Sequence, residues 1–290
     1  MKIATRSSLL ALAQARSVAE AIGGAEMLEV ETDNTPGDKE RFVRGVEQAL
    51  LDGRAGAGVH SAKDLPGNMT AGLAIASVPP REDARDVWIG AGASLAEVPP
   101  GATVGTASRR RRSQLLALRP DLNPVEMRGN VDTRIRKLRE GEVDGLVLAM
   151  AGLRRLGRED EVAFAFSPEE MLPAAGQGAL VVQSRAGEEE SGGLHELNDF
   201  ESERRLLAER AAVVALGADC SSPVGVHARI EGDRMAVAGF VGLEDGSQWI
   251  RDAIEGSSAQ PEAVGRELAW RMIAAGAREL LDLAAEGGKL

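Results

Sequence analysis

The stretch Gly58-Val59-His60-Ser61-Ala62-Lys63-Asp64-Leu65-Pro66 gathers four side chains able to exchange protons or hold charge: His60, Ser61, Lys63 and Asp64. Gly58 and Val59 complete a short buried strand. Pro66 ends regular structure there, because its ring fixes φ and it has no N–H to donate. A strand end loaded in this way resembles the ligand crevice at the carboxyl edge of an open α/β sheet. The same spacing also describes a polar turn with a solvated Lys63–Asp64 pair, and the stretch alone does not separate the two.

Arginines gather at three further turns. In Thr106-Ala107-Ser108-Arg109-Arg110-Arg111-Arg112-Ser113-Gln114 they occupy the first turn of an expected helix, at the positive end of its dipole, where each is mildly unfavourable. The same place is a natural anion site, with free N–H groups and the Thr106 and Ser108 hydroxyls. A local conflict of this kind is expected where a ligand resolves it. At 100° steps the four arginines cannot all face one ligand, and a solvated basic face or nucleic-acid patch stays open as the alternative. Arg128-Gly129-Asn130 with Arg134, and Arg6-Ser7-Ser8 after the first strand, repeat the device. Together the three turns point to a ligand with several carboxylates or phosphates.

The lone Cys220 lies in Gly217-Ala218-Asp219-Cys220-Ser221-Ser222-Pro223-Val224-Gly225. A single cysteine is commonly a small buried hydrophobe. Its Gly, Ser and Pro neighbours argue instead for a loop, partial exposure and covalent use. One cysteine excludes an internal disulfide, and the scattered His60, His195 and His227 give no metal-ligand spacing, so no metal is expected. Gly56/Gly58 and Gly176/Gly178 open no helix and make no dinucleotide fingerprint.

The 290 residues are enough for two or three domains, and with no Tyr, three Trp and five Phe the cores must be aliphatic. A net charge of −11 argues against a general nucleic-acid or membrane-surface binder. No apolar run approaches the roughly 18 residues of a membrane span. Leu9-Leu10-Ala11-Leu12 is too short for a signal-peptide core, and Arg6 and two serines interrupt its approach, so a cytoplasmic protein is expected.

The elements that must position these groups alternate. Strands are expected at 3–5, 27–32, 59 and 73–76, with helices at 8–22 and 40–51. Val78-Pro79-Pro80-Arg81 reads as a linker. A second unit repeats the grammar: strands at 103–105, 124–127 and 145–150, helices at 108–118 and from Asn130 to Arg139. Leu172-Pro173 reads as a second linker before a strand at 179–182. From Glu201 the pattern changes to a helix, three strands at 226–230, 235–241 and 248–254, and a last helix over 261–283. Two linkers around one α/β unit give the layout of proteins that clamp a ligand between two lobes.

Over nearly its whole length the chain resembles the porphobilinogen deaminase (hydroxymethylbilane synthase) family. The motifs, in unbroken order, begin with Ile3-Ala4-Thr5-Arg6-x-Ser8 with Gln14, Val59-His60-Ser61-x-Lys63-Asp64-x-Pro66 and Arg81-Glu82-Asp83-x-Arg85-Asp86. They continue through Gly105-Thr106-x-Ser108-x-Arg110-Arg111, Arg128-Gly129-Asn130-Val131-x-Thr133-Arg134 and Ala149-x-Ala151-Gly152-Leu153-x-Arg155-Leu156-Gly157. Leu172-Pro173-Ala174-x-Gly176-Gln177-Gly178-Ala179 and Cys220-x-x-Pro223-x-Gly225 complete the series.

The resemblance implies an α/β fold, with two-lobed periplasmic-binding-protein-like domains 1 and 2 and a small α+β domain with a three-stranded antiparallel sheet. Domain 1 would comprise 1–79 plus 177–197, domain 2 residues 80–176, and domain 3 residues 198–290. It also implies a dipyrromethane cofactor held as a thioether by Cys220, on which four porphobilinogens are joined head to tail with loss of ammonia. Asp64 would be catalytic, stabilising a cationic pyrrole intermediate. Ser61, Lys63, Asp64, Thr106, Ser108, Arg110, Arg111 and Arg128 would hold the cofactor. Arg6, Ser8, Gln14, Lys39, Arg128 and Arg134 would hold substrate. Pyrroles bearing acetate and propionate explain arginine-rich turns in an acidic protein. The expected partner is the small-molecule substrate alone, without nucleic acid or membrane, on a monomer. The competing expectation is a non-enzymatic two-lobed protein that binds a polycarboxylate anion.

Three departures from the family pattern stand out. Thr35-Pro36-Gly37-Asp38 runs almost directly through Lys39 into Phe42-Val43, where the family has a longer lid. Ala218-Asp219 replaces a Gly-Gly before the cysteine. Arg109 and Arg112 add charge beside Arg110 and Arg111.

Overall fold

The computed structural model describes residues 1–31, 43–219 and 221–287. Three sheets organise it. The first contains β1 (Lys2–Arg6), β2 (Glu26–Val30), β3 (Ala57–Ser61), β4 (Leu73–Ser77) and, from far along the chain, Leu180–Arg185, in the order β2-β1-β3-(Leu180–Arg185)-β4. β1 is parallel to β2 and β3, whereas Leu180–Arg185 is antiparallel to both β3 and β4.

The second sheet is built from β5 (Asp86–Gly90), β6 (Thr103–Gly105), β7 (Asn123–Val125), β8 (Gly145–Ala149) and β9 (Phe164–Ala165), in the order β7-β6-β8-β5-β9. β6 is parallel to β7 and β8, and β5 runs antiparallel to β8 and β9. Leu180–Arg185, which follows as β10, returns the chain to the first sheet. In each sheet the strand that follows an interlobe linker is antiparallel to its neighbours. The parallel strands β1, β3, β6 and β8 therefore end on one edge of their sheet, which is where open α/β sheets bind ligands.

Both sheets carry helices. In the first, α1 (Leu9–Ala21) packs Ala15, Val18 and Ala19 on Ile3, Ala57 and Val59, and α2 (Arg44–Leu51) sets Val46, Ala49 and Leu50 under Ala4 and Leu73. In the second, α3 (Arg109–Leu118), α4 (Val131–Arg139) and the short α5 (Met150–Arg155) flank a core with Leu115, Ile135, Leu146 and Leu153. Gly145-Leu146-Val147-Leu148 is buried on both faces, as a central parallel strand must be. Ser8, Ser108 and Asn130 cap α1, α3 and α4, accepting bonds from Ala11, Arg111 and Thr133 N–H groups at 3.3, 3.4 and 3.0 Å.

The third sheet is an antiparallel meander of β11 (Val224–Glu231), β12 (Arg234–Gly242) and β13 (Trp249–Ser257). It packs Val226, Ala228, Met235, Val237 and Val241 against α6 (Phe200–Leu216), α7 (Pro261–Ala274) and α8 (Ala277–Gly287). The single helix expected over 261–283 is therefore two. They part at Gly276, whose φ of +99° no side chain adopts comfortably. The strand β5 and helix α5, read above only as motif residues, are further departures. Among the described residues no helix is long and apolar enough to cross a membrane.

Glu209 of α6 ties both linkers to the third unit. Its carboxylate is fully buried and takes two bonds from Arg81, at 2.7 and 3.0 Å, and one from the Gly176 N–H at 2.6 Å. Arg81 also donates to the Gln177 carbonyl at 2.8 Å. Gly178 completes the crossing: at φ +87°, a Cβ there would lie 2.3 Å from the Glu82 carbonyl oxygen. The chain enters and leaves the second sheet through one pinned junction.

Candidate functional site

The four candidates on the first stretch divide between the end of β3 and the turn after it. His60 and Ser61 close the strand, and Ala62–Asp64 form one 3-10 turn, so Lys63 and Asp64 project beyond the sheet edge. Gln14 of α1 is buried and donates through Nε2 to Ser61 Oγ at 3.0 Å, which fixes that hydroxyl. Arg6, at the end of β1, lines a cavity together with Ala11, Gln14, Val43, Val59, His60, Ser61 and Asp64. Ser8 is committed to its cap. A larger cavity, of about 60 Å³, lies elsewhere, between Leu172 and the β11–β13 sheet, and none of the sequence candidates line it.

The arginine turn on α3 is resolved by the protein itself. Asp86, fully buried at the start of β5, accepts from Arg110 Nη1 at 2.6 Å and from Arg111 Nε at 2.9 Å. Gln177 Nε2 adds a third donor at 2.9 Å. Arg110 also donates to the Leu172 carbonyl at 2.6 Å, and Arg111 to the Val147 carbonyl at 2.9 Å. Burial alone would push the Asp86 carboxyl up, but the two guanidiniums hold it at about 2. The remaining arginines turn to the third unit: Arg109 pairs with Glu244 at 2.9 Å, and the charge of Arg112 acts on Asp245. Internal partners thus bind three of the four side chains, Arg109, Arg110 and Arg111, so the run is not a free basic face. Thr106 is buried and accepts from the Ser108 N–H at 3.2 Å.

Charges of the two sheets meet at this edge. Burial and then the positive field of Arg111 pull the Lys63 ammonium down to about 8, against the opposing pull of Asp64 and Asp86. Burial and Arg111 likewise lower Arg134, to about 10. Arg111 of α3 thus acts both on Lys63 from the first sheet and on Arg134 from α4. Arg134 donates to the Gly129 carbonyl at 2.9 Å but has no carboxylate within ion-pair distance among the described residues, and neither does Lys63. Arg155 at the end of α5 is a further arginine without an ion pair among the described residues: burial lowers it to about 10 against the opposing pull of Glu82, and it donates to the Gly178 carbonyl at 2.7 Å. Sequence reasoning quoted Arg155 within a motif without assigning it a role; its place after a third strand of the second sheet was the available signal. Arg128 is different, with its side chain 70% exposed and paired to Glu126 at 2.6 Å.

Lys39 and Cys220, and the shortened segment Thr35–Phe42, fall outside the described residues. Around the cysteine, Asp219 accepts from the Ser221 N–H at 2.8 Å and from its hydroxyl at 2.6 Å. Among the described residues no cluster of His, Cys, Asp and Glu has the makings of a metal site.

Comparison with known proteins decides what this edge belongs to. The family model for "Porphobilinogen deaminase, dipyromethane cofactor binding domain" matches residues 1–192, and that for "Porphobilinogen deaminase, C-terminal domain" matches residues 204–274. The chain belongs to the porphobilinogen deaminase family. A porphobilinogen deaminase of Thermus thermophilus is 43% identical over 96% of this chain and 97% of its own length. That of Campylobacter concisus is 41% identical over 99% and 98%. The solved structure of protein PG110 from Staphylococcus aureus aligns with 93% of this chain and all of its own, at 14% identity and a TM-score of 0.45. In its architecture the fold class is the α/β one expected from the sequence: two five-stranded α/β units and a small unit with a three-stranded antiparallel sheet.

The donor set suits the family's dipyrromethane cofactor. Its acetate and propionate groups are anions, and the meeting edge supplies two cations without an ion pair among the described residues, Lys63 and Arg134. This geometry separates two neighbouring arginines of the sequence reading. Arg128→Ala should leave the melting temperature unchanged, since an exposed ion pair contributes about 0–1 kcal/mol, while weakening porphobilinogen binding by a charge-assisted bond of about 1.5–3 kcal/mol. Arg112→Ala should change KM little. Steady-state kinetics and melting curves of both variants check this, and equal losses of activity would show that the wrong helix face has been assigned to the ligand.

Proposed function

We propose that this chain joins four porphobilinogen molecules head to tail, releasing an ammonia at each addition, and frees the product as hydroxymethylbilane. The observation that carries the reading is the meeting of Lys63 and Asp64 at the end of the first sheet with Arg111 and Arg134 of the second. A carboxylate set among cations suits a reaction in which an anionic chain passes through a cationic pyrrole. The cations hold the acid side chains, and Asp64 faces the pyrrole N–H groups where positive charge develops. The dipyrromethane, when bound, supplies the primer to which the chain is attached. Full-length relatives named porphobilinogen deaminase favour this enzyme over a non-enzymatic anion binder.

The family resemblance supports the following residue roles. Cys220 carries the cofactor as a thioether. Ser61, Lys63, Thr106, Ser108 and Arg111 hold its carboxylates, and Arg110 positions Arg111 by sharing Asp86. Arg6, Ser8, Gln14, Lys39, Arg128 and Arg134, joined by Arg155, receive substrate. Domain 1 comprises 1–79 and 177–197, domain 2 residues 80–176, and domain 3 residues 198–290. The enzyme acts as a monomer in the cytoplasm, without nucleic acid or membrane. Incubation with porphobilinogen tests the activity: one ammonia should appear per porphobilinogen consumed, with a linear tetrapyrrole as product. Consumption without ammonia, or none at all, would overturn it.

Lys63 gives the reading a pH signature. Its ammonium is lost as pH rises through about 8, so the site's hold on carboxylates weakens above that pH. Turnover by the cofactor-loaded enzyme should therefore fall several-fold between about pH 7.5 and 9. In Lys63→Arg, whose charge persists there, the fall should vanish. An unchanged pH profile in the arginine variant would assign the titration to another group.

A further inference from the structure

The linker that returns the chain to the first sheet lies between the two halves of the site. On one side it rests on the turn that bears Lys63 and Asp64, where the Ala62 N–H donates to the Ala179 carbonyl at 3.0 Å. Gly176, at φ +71°, comes so near that a Cβ there would lie 2.9 Å from Ala62 Cβ. On the other side Gln177 reaches into the second lobe. Its Nε2 donates to the Ala84 carbonyl at 2.7 Å and to Asp86 Oδ1 at 2.9 Å, the same oxygen that takes Arg111 Nε at 2.9 Å. One side chain thus fastens the linker under the Lys63–Asp64 turn to the carboxylate that anchors Arg111. Gln177 is only 1% exposed, and its own amide oxygen is buried without a hydrogen-bond partner. Both of its neighbours are acceptors, so turning the amide over would set oxygen against oxygen. A buried polar atom left unsatisfied lowers stability, and such a conflict is expected where a residue serves a site rather than the fold.

We propose that Gln177 is a positioning residue that sets the separation between Arg111 and the Lys63–Asp64 turn. The inference rests on the function proposed above. Buried as it is, Gln177 meets no ligand itself and acts through Asp86 and Arg111. Without its two donated bonds the linker is no longer fastened to Asp86, and the facing edges of the two lobes move apart. Lys63 reports that movement. After burial, the charge of Arg111 does most to lower its ammonium; Asp64 and Asp86 oppose this, and Arg110 adds to it. Arg110, Arg111 and Asp86 together carry one net positive charge, so drawing them away from Lys63 raises the pH at which its proton is lost.

Holoenzymes of the parent protein, Gln177→Met and Gln177→Asn test this. Methionine keeps the length of the side chain without a donor, and asparagine keeps a donor on a shorter arm. Turnover of Gln177→Met should fall about tenfold, the effect of losing one hydrogen bond to a charged group, with Gln177→Asn between. The discriminating readout is pH dependence. The alkaline fall in turnover, and the Lys63 titration followed by NMR of isotopically methylated lysines, should both move above the parent's value of about 8, furthest in Gln177→Met. Lower turnover with the titration unmoved, or unchanged turnover, would overturn the proposal. Failure of both variants to fold would overturn it too, since Gln177 would then serve the fold; if only Gln177→Met fails, Gln177→Asn decides on the same criteria. A parent enzyme that frees no ammonia from porphobilinogen refutes the reaction itself, whereas the Lys63 titration needs no turnover and still decides on Gln177.

Discussion

Asp64→Asn should melt like the parent protein and lose on the order of 10²–10³ in turnover, the usual effect of removing one preorganised group from a developing charge. The two halves of this result have separate causes. Asp64 is half-buried on a 3-10 turn, lines the cavity, and has no cation within ion-pair distance among the described residues. It therefore contributes little to the fold, and an isosteric amide leaves packing intact. On the role proposed for Asp64, the same change removes the negative charge opposite a cationic pyrrole. Asp64→Glu restores the charge at an imperfect distance and should recover part of the rate. Were Asp64 merely half of a solvated pair with Lys63, the asparagine variant would turn over normally, because exposed pairs contribute about 0–1 kcal/mol.

The largest stability effect should come from the other carboxylate. Asp86→Asn leaves Arg110 and Arg111, 3% and 6% exposed, adjacent and without their shared anion. Breaking a buried ion pair by removing one partner costs about 3–5 kcal/mol, because the remaining charge cannot return to water. The variant should melt well below the parent, and because Arg111 then loses its anchor, the cations beside Lys63 should bind carboxylates more weakly. The acid dependence has the same origin. Asp86 is held at about 2, below the carboxylate's unfolded value near 4. Its stabilisation is therefore complete above about pH 4 and is lost as pH falls from about 4 through 2. Circular dichroism melts of Asp86→Asn at neutral and acid pH check this. A melting temperature equal to the parent's would mean that the buried triad does not hold the lobe together.

Sequence made the chemistry of β3 legible because hydrophobic pattern, Pro66 and the four polar side chains all lie within one local stretch. The arginine turns were legible as an anion device for the same reason: the helix starts follow from capping residues and the dipole. What the local pattern hid was the anion. Asp86 lies 24 residues before Arg110 in a segment so charged at Arg81–Asp86 that strand β5 is masked at its start. Only the order of strands in the second sheet brings it under α3. Helix α5 was hidden by Gly145–Met150, an apolar run that ends the strand and begins the helix without a break. The split between α7 and α8 was missed because alanines on both sides of Gly276 continue a helical pattern, and only the backbone conformation reveals the stop. Arg155 reads as one more helix-end arginine until its burial places it beside the linker carbonyl of Gly178.

The proposed reaction requires a primer attached to Cys220. An intact-mass spectrum of the purified protein tests that attachment most directly. The protein should exceed the mass of its sequence by two linked pyrrole units, and limiting porphobilinogen should add further units one at a time. Cys220→Ala should show the sequence mass alone and no turnover. An unmodified parent protein that turns over porphobilinogen at full rate would contradict the claim.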